Sequence, residues 1–186
     1  MAAEHWNIDP AHSNVEFSVR HLMISTVKGR FSEFTGVVVA DASDLSDFAL
    51  DVTIQTASID TRQPDRDTHL KSADFFDVAK YPTIVFKGSH ITGDHMSEFE
   101  LHGNLTMHGV TKPIYLEVTA EGQGKDPWGN ERLGYSAKGK IDRRDFGLTW
   151  NQALEAGGVA VGHEVKISID LELVKAAAPQ PAAAAV

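Results

Sequence analysis

The feature that most restricts this chain is a period of two in its apolar residues. From Ser13 to Arg20, Val15, Phe17 and Val19 alternate with Glu16, Ser18 and Arg20. From Val165 to Leu173, Val165, Ile167, Ile169, Leu171 and Leu173 alternate with Lys166, Ser168, Asp170 and Glu172. The same rhythm runs through Leu50-Val52-Ile54, Phe99-Leu101-Gly103-Leu105-Met107 and Ile114-Leu116-Val118. Successive strand side chains point to opposite faces, so these segments are expected to be antiparallel strands with one apolar and one wet face. Less regular strands are expected over 26–41, 83–92 and 132–142, and the phase slip between Phe31 and Phe34 signals a bulge or bend.

Turn-forming residues divide these runs. His108-Gly109, followed by Val110-Thr111-Lys112-Pro113, suits a tight connection, and Lys125 to Asn130 reads as a longer hairpin loop. One segment leaves the pattern. Pro64 fits a first helical position, Asp65 and Asp67 complement the positive end of a helix dipole, and Leu70, Ala73 and Phe76 recur every three residues. A short amphipathic helix is expected over 64–76, ending before Tyr81-Pro82. The fold class is therefore all-β: about eight antiparallel strands and one short α-helix, in a barrel or a two-sheet sandwich. Periodicity alone does not choose between those two.

Composition narrows the function classes. The chain of 186 residues fits one domain, and 42% hydrophobic residues suffice for a core. A net charge of −9 opposes nucleic-acid binding and tight docking on anionic lipid, both of which favour basic surfaces. Without cysteine there is no disulfide, thiolate nucleophile or Cys metal site. No apolar run approaches the ~20 residues of a spanning helix. The start, Met1 to Trp6, has no basic stretch followed by an apolar core, so a cytoplasmic location is expected, or a periplasmic or secreted one if a leader was removed. Residues 1–175 form the expected domain, and the Ala/Pro-rich 176–186 an expected flexible tail.

No catalytic pattern emerges. His102 and His108 share a strand face but lie about 20 Å apart at the usual strand rise, and no His-x-His or HExxH spacing occurs, so no metal site is expected. Ser25-Thr-Val-Lys28 matches SxxK in a segment that favours strand over helix and lacks its partner motifs. Asp145-Phe146-Gly147 lacks the other kinase elements, and Gly134-Tyr-Ser-Ala-Lys138 misses the nucleophile elbow at its last position. His21 continues the apolar face of Val15, Phe17 and Val19, which would place it at the rim of whatever that face encloses.

Several segments, in order over roughly residues 6–174, resemble the YceI-like family of polyisoprenoid-binding, lipocalin-like barrels. They are Trp6-Asn-Ile-Asp-Pro-Ala-His-Ser-Asn-Val-Glu-Phe-Ser-Val-Arg-His21; Asp67 to Asp77 followed by Tyr81-Pro-Thr-Ile-Val-Phe86; Gly103 to Pro113; and Arg143-Arg-Asp-Phe-Gly147. The resemblance implies a single antiparallel barrel whose apolar pore holds an isoprenoid chain, often of a quinone or polyprenyl lipid, with no further cofactor. Many family members carry signal peptides, and this chain departs from them there.

A ten-residue strand spans ~33 Å, and a tilt near 40° leaves a barrel about 25 Å tall, a height suited to an extended prenyl chain. The expected lining is Phe17, Val19, Val52, Ile54, Phe86, Leu105, Leu116, Tyr135, Ile141, Ile167 and Ile169, with His21 as a polar handle. The expected function is binding, transport or storage of that lipid without catalysis. Two alternatives stand beside it. One is an enzyme using His21 with Tyr135, or Asp9 with His12, inside the cavity; Asp9 and His12 would otherwise fix the opening turn. The other is an interaction module with a filled core. Membrane contact should be transient at most, and a homodimer is the simplest cover for an apolar rim.

Overall fold

The structure, a computed structural model, describes residues 4–41 and 44–176; the expected tail therefore lies, beyond Ala176, outside the described residues. Eleven strands follow in the order β1 (Glu4–Ile8), β2 (Asn14–His21), β3 (Ser25–Phe31), β4 (Phe34–Asp41), β5 (Asp44–Gln55), β6 (Ile59–Asp60), β7 (Thr83–Gly93), β8 (Glu98–Met107), β9 (Val110–Lys125), β10 (Glu131–Asp142) and β11 (Val161–Lys175). One helix, α1 (Pro64–Lys71), lies between β6 and β7.

The pairing is simpler than that count. β1 and β2 both pair with β11; β1 pairs with β4 and β2 with β3; β4 pairs with β5 and β3 with β6. Each of the first three staves is thus one strand broken in two, at Pro10–His12, at Ser32-Glu33 and at Thr56–Ser58. From β5 onward the strands run β7, β8, β9, β10, β11 as a plain antiparallel meander. The result is a closed eight-stave barrel, because β11 returns to the first stave. That closure excludes the sandwich. The irregular stretch expected over 26–41 is two strands meeting at a corner, with the phase slip after Phe31 at the break.

The tight connection after Met107 is a two-residue hairpin with His108 and Gly109 both at positive φ (52° and 76°), as its twist demands. The helix is shorter than expected. It stops at Lys71 because Ser72 turns extended (ψ 174°), its hydroxyl donating to the His69 carbonyl. The chain then doubles back, and the Phe76 amide donates to the Leu70 carbonyl. The three-residue spacing of Leu70, Ala73 and Phe76 therefore reflects a helix end plus a turn.

Glycines let large side chains lie flat against the inner wall. A Cβ on Gly29 would fall 2.3 Å from Phe17 Cζ, and one on Gly103 would fall 2.5 Å from Phe86 Cζ.

One end of the barrel is packed shut. Phe31 lies between Phe17 and Phe76 (ring centroids 5.6 and 5.9 Å), and Phe75 packs on Trp150 at 5.3 Å. Phe146 and Leu148, from the β10–β11 connection, are buried beside them. Arg143 pins that connection. It is 4% exposed, and burial pushes its guanidinium below its ordinary range. It donates to the carbonyls of Gly162 (2.9 Å), Leu148 (2.6 Å), Trp150 (2.9 Å) and Val161 (3.3 Å), with no carboxylate bonded to it among the described residues. Bare buried carbonyls are costly. Arg143→Met should therefore lower unfolding free energy by about 3 kcal/mol in urea titration, with Arg143→Lys recovering only part, since one ammonium cannot span four acceptors.

Candidate functional site

Because each stave turns its apolar face inward, the ring encloses a cavity of about 610 Å³. Phe17, Val19, Val52, Ile54, Phe86, Leu105, Leu116, Tyr135, Ile141, Ile167 and Ile169 all line it. Cross-strand rungs bring several together: Val52 opposite Phe86, Phe86 opposite Leu105, and Ile167 opposite Phe17. His21 does not join them. Its parity is right, but along β2 the lining ends at Val19, and His21 is exposed at the β2–β3 hairpin, opposite Ser25.

The lining is apolar through the middle and polar at its open end. There Lys175 Nζ lies 2.6 Å from Glu4 Oε1 and 3.0 Å from Glu131 Oε2, and 5.6 Å over the Trp6 ring. His95, Met96 and Gln123 complete that rim. At the closed end Leu70, Phe75, Phe76 and Leu148 form the floor. Leu70 and Phe76 belong to the segment whose three-residue spacing stands out in the sequence, whereas Phe75 and Leu148 lie in a turn and a loop, where no periodicity marks them. Below the rim, Tyr135 is the one tyrosine of the lining; burial pushes its phenol up, so it is a neutral donor, and it has no hydrogen bond among the described residues.

The two pairs that catalysis would need are not in this cavity. His21 faces Val161 and Tyr135 faces Leu171, ten residues apart on β11, roughly 33 Å at the usual rise. Asp9 and His12 sit on the outer surface, within hydrogen-bond reach at 2.9 Å. Asp9 also accepts from the Ala11 amide (3.0 Å) and from Arg132 Nη1 (2.8 Å), and Arg132 continues to Glu172 and to Asp126 (3.0 Å). The Arg132 hydrogen bond, with His12 second, holds the Asp9 carboxyl down at about 2. Asp9, His12 and Glu172 group three ligand-type atoms, but Arg132 already supplies their counter-charge. On the outer wall His90 and His102 stack at 4.4 Å, away from the lumen. An interior packed solid is likewise not what the barrel holds.

The family model of the YceI-like domain matches residues 6–173. The protein YceI of Salmonella newport is 43% identical over 138 residues, covering 74% of this chain and 72% of its own. A Campylobacter jejuni YceI crystal structure superposes with a TM-score of 0.72 at 33% identity, covering 85% of this chain and 90% of its own. A polyisoprenoid-binding domain from Saccharophagus degradans, implicated in plant cell wall breakdown, shares the fold at a TM-score of 0.68 and 14% identity, covering 92% and 98%.

The Asp9 network has a pH signature. A carboxyl held at about 2 when folded and near 3.8 when free adds stability above pH ~4, which is lost as pH falls toward 2. Asp9→Asn should cost about 1 kcal/mol at pH 7, after allowing for solvent screening, and only a small fraction of that near pH 2. Chemical denaturation of both proteins across that range checks it, and lumen binding should not change.

Proposed function

The chain belongs to the YceI-like family, and from that premise we propose that it binds and carries a long isoprenoid lipid, a polyprenyl chain or the tail of an isoprenoid quinone, in its lumen without chemical conversion. The observation that carries this reading is the cavity itself: continuous, apolar, closed by a floor and about 610 Å³ in volume. That is roughly four times the ~150 Å³ cavity that accepts one benzene, or room for about 24 carbons, five isoprene units. Such a space suits a slender branched chain better than a compact metabolite.

The polyisoprenoid-binding domain of similar fold supports the same class of ligand. Phe17, Val19, Val52, Ile54, Phe86, Leu105, Leu116, Ile141, Ile167 and Ile169 would contact the chain, with Tyr135 nearer its head. The drive is burial of apolar surface at ~25 cal/mol per Å², which needs no special polar residue. A tail-first orientation follows from the apolar floor and polar rim. The apolar wall between floor and rim favours carriage over catalysis.

Native mass spectrometry of protein purified from its own host should show an isoprenoid that solvent extraction releases. Apo protein should then bind an isoprenoid quinone or polyprenol in titration. Ile167→Trp, which fills the lumen beside Phe17, should weaken that binding at least about tenfold while leaving the thermal midpoint level or raised. Protein that is always empty and has no affinity for quinones or polyprenols would overturn the reading.

A further inference from the structure

Among the described residues, the open end exposes two large apolar side chains on separate tips. β8 begins at Glu98 opposite Thr119, whereas β9 continues to Lys125, so the β9–β10 hairpin rises six residues, about 20 Å, past its neighbour. At its tip Trp128 is 82% exposed; in the β7–β8 turn Met96 is 65% exposed and lines the cavity. The Trp128 tip is rigidly built. Asp126 accepts from the amides of Trp128 (3.0 Å) and Asn130 (2.9 Å), from the Asn130 side chain (2.8 Å) and from Arg132 Nε (3.0 Å). Arg132 in turn ties the hairpin to Asp9 and Glu172. The chain spends this hydrogen bonding on a tip whose indole meets only solvent.

Resting on the lipid-carrier reading above, we propose that the mouth end docks on a bilayer of uncharged net headgroups, with Trp128 and Met96 as its anchors, so that the lumen loads directly from the membrane. A bilayer fits better than a protein partner. Two points on two hairpins, separated by a polar rim, are far from the ~800 Å² patch each side of a stable protein interface supplies. Tryptophan settles at the membrane–water interface, and the lumen reached through this mouth is itself apolar. Charge selects the lipid: Glu4, Asp94, Glu98, Glu121, Asp126 and Glu131 surround the mouth against Lys125, Arg132 and Lys175, so anionic headgroups are repelled. The opposite end also exposes apolar residues, at Leu22, Met23 and Ile24 of the β2–β3 hairpin, but none of these lines the cavity.

The test uses the full chain with phosphatidylcholine vesicles. Brominated phosphatidylcholine should quench the tryptophan emission, Trp128→Phe should remove most of that quenching, and phosphatidylglycerol-enriched vesicles should bind more weakly at low salt. Trp128→Ala, at a residue outside the lumen lining, should slow quinone uptake from vesicles at least about fivefold, yet leave binding of cyclodextrin-delivered quinone unchanged. Met23→Ser with Ile24→Ser should change neither. Absence of quenching in the wild-type chain, wild-type uptake by the Trp128→Ala protein, or loss of docking in the far-end variant would each overturn the proposal. Failure of cyclodextrin-delivered quinone to bind would instead strike the carrier reading, while the quenching experiment still decides the docking.

Discussion

The ladder between β11 and the first stave closes the ring, and the cavity exists only because that ladder survives a break. Between β1 and β2 the chain makes a turn at Pro10–His12, where strand pairing is lost and the Glu172 backbone would go bare. The Asp9 amide donates to the Glu172 carbonyl at 2.9 Å, and the Glu172 amide donates to Ser13 Oγ at 3.0 Å. The Asp9 side chain caps the turn, and Arg132 reaches across from β10 to hold both acids. The Asp9-x-x-His12-Ser13 pattern thus has a structural explanation: it keeps the backbone satisfied where an eight-stave barrel must bend.

Closure also explains what could be read from residues in order along the chain and what could not. Wherever one wall faces lumen and the other water, as in Ile167 and Ile169 against Lys166 and Ser168, alternation shows the strand and its inner face together. The lining from Phe17 to Ile169 was legible for that reason. β1 was not, since Trp6 and Ile8 make too short a run to stand out. His21 was misplaced because parity reports the face of a strand and not where the lumen ends. The floor was legible only in part, through Leu70 and Phe76 of the expected helical segment. Phe31, Phe76 and Leu148 converge from a strand end, a turn and a loop, and only tertiary packing relates them. Arg143 stood out as a family motif, yet its work, gathering four carbonyls, cannot be inferred from spacing.

The distribution of polar groups gives the two ends different characters. At the floor, aromatic packing and a buried guanidinium fix the β10–β11 connection, which leaves little freedom to open. At the mouth the polar groups are side chains on strand ends and tips: Glu4, Glu131 and Lys175 pair with one another in water, where such pairs are weak and exchange readily. A chain that enters here loses hydration only gradually, and its own polar group can stay near Tyr135 and the rim while its apolar part descends.

The same cavity sets a limit on how the fold can be stable. An open lumen of about 610 Å³ forgoes the contacts that side chains filling it would make. The closed backbone ladder, the aromatic floor and side chains laid against glycines, as Phe17 is on Gly29 and Phe86 on Gly103, therefore carry a larger share of the stability than in a barrel packed to its axis. A barrel held from its wall tolerates an unfilled middle. It follows that occupant and fold are linked: whatever fills the lumen in the folded state alone adds to stability by mass action, so binding in the lumen and folding draw on the same apolar surface.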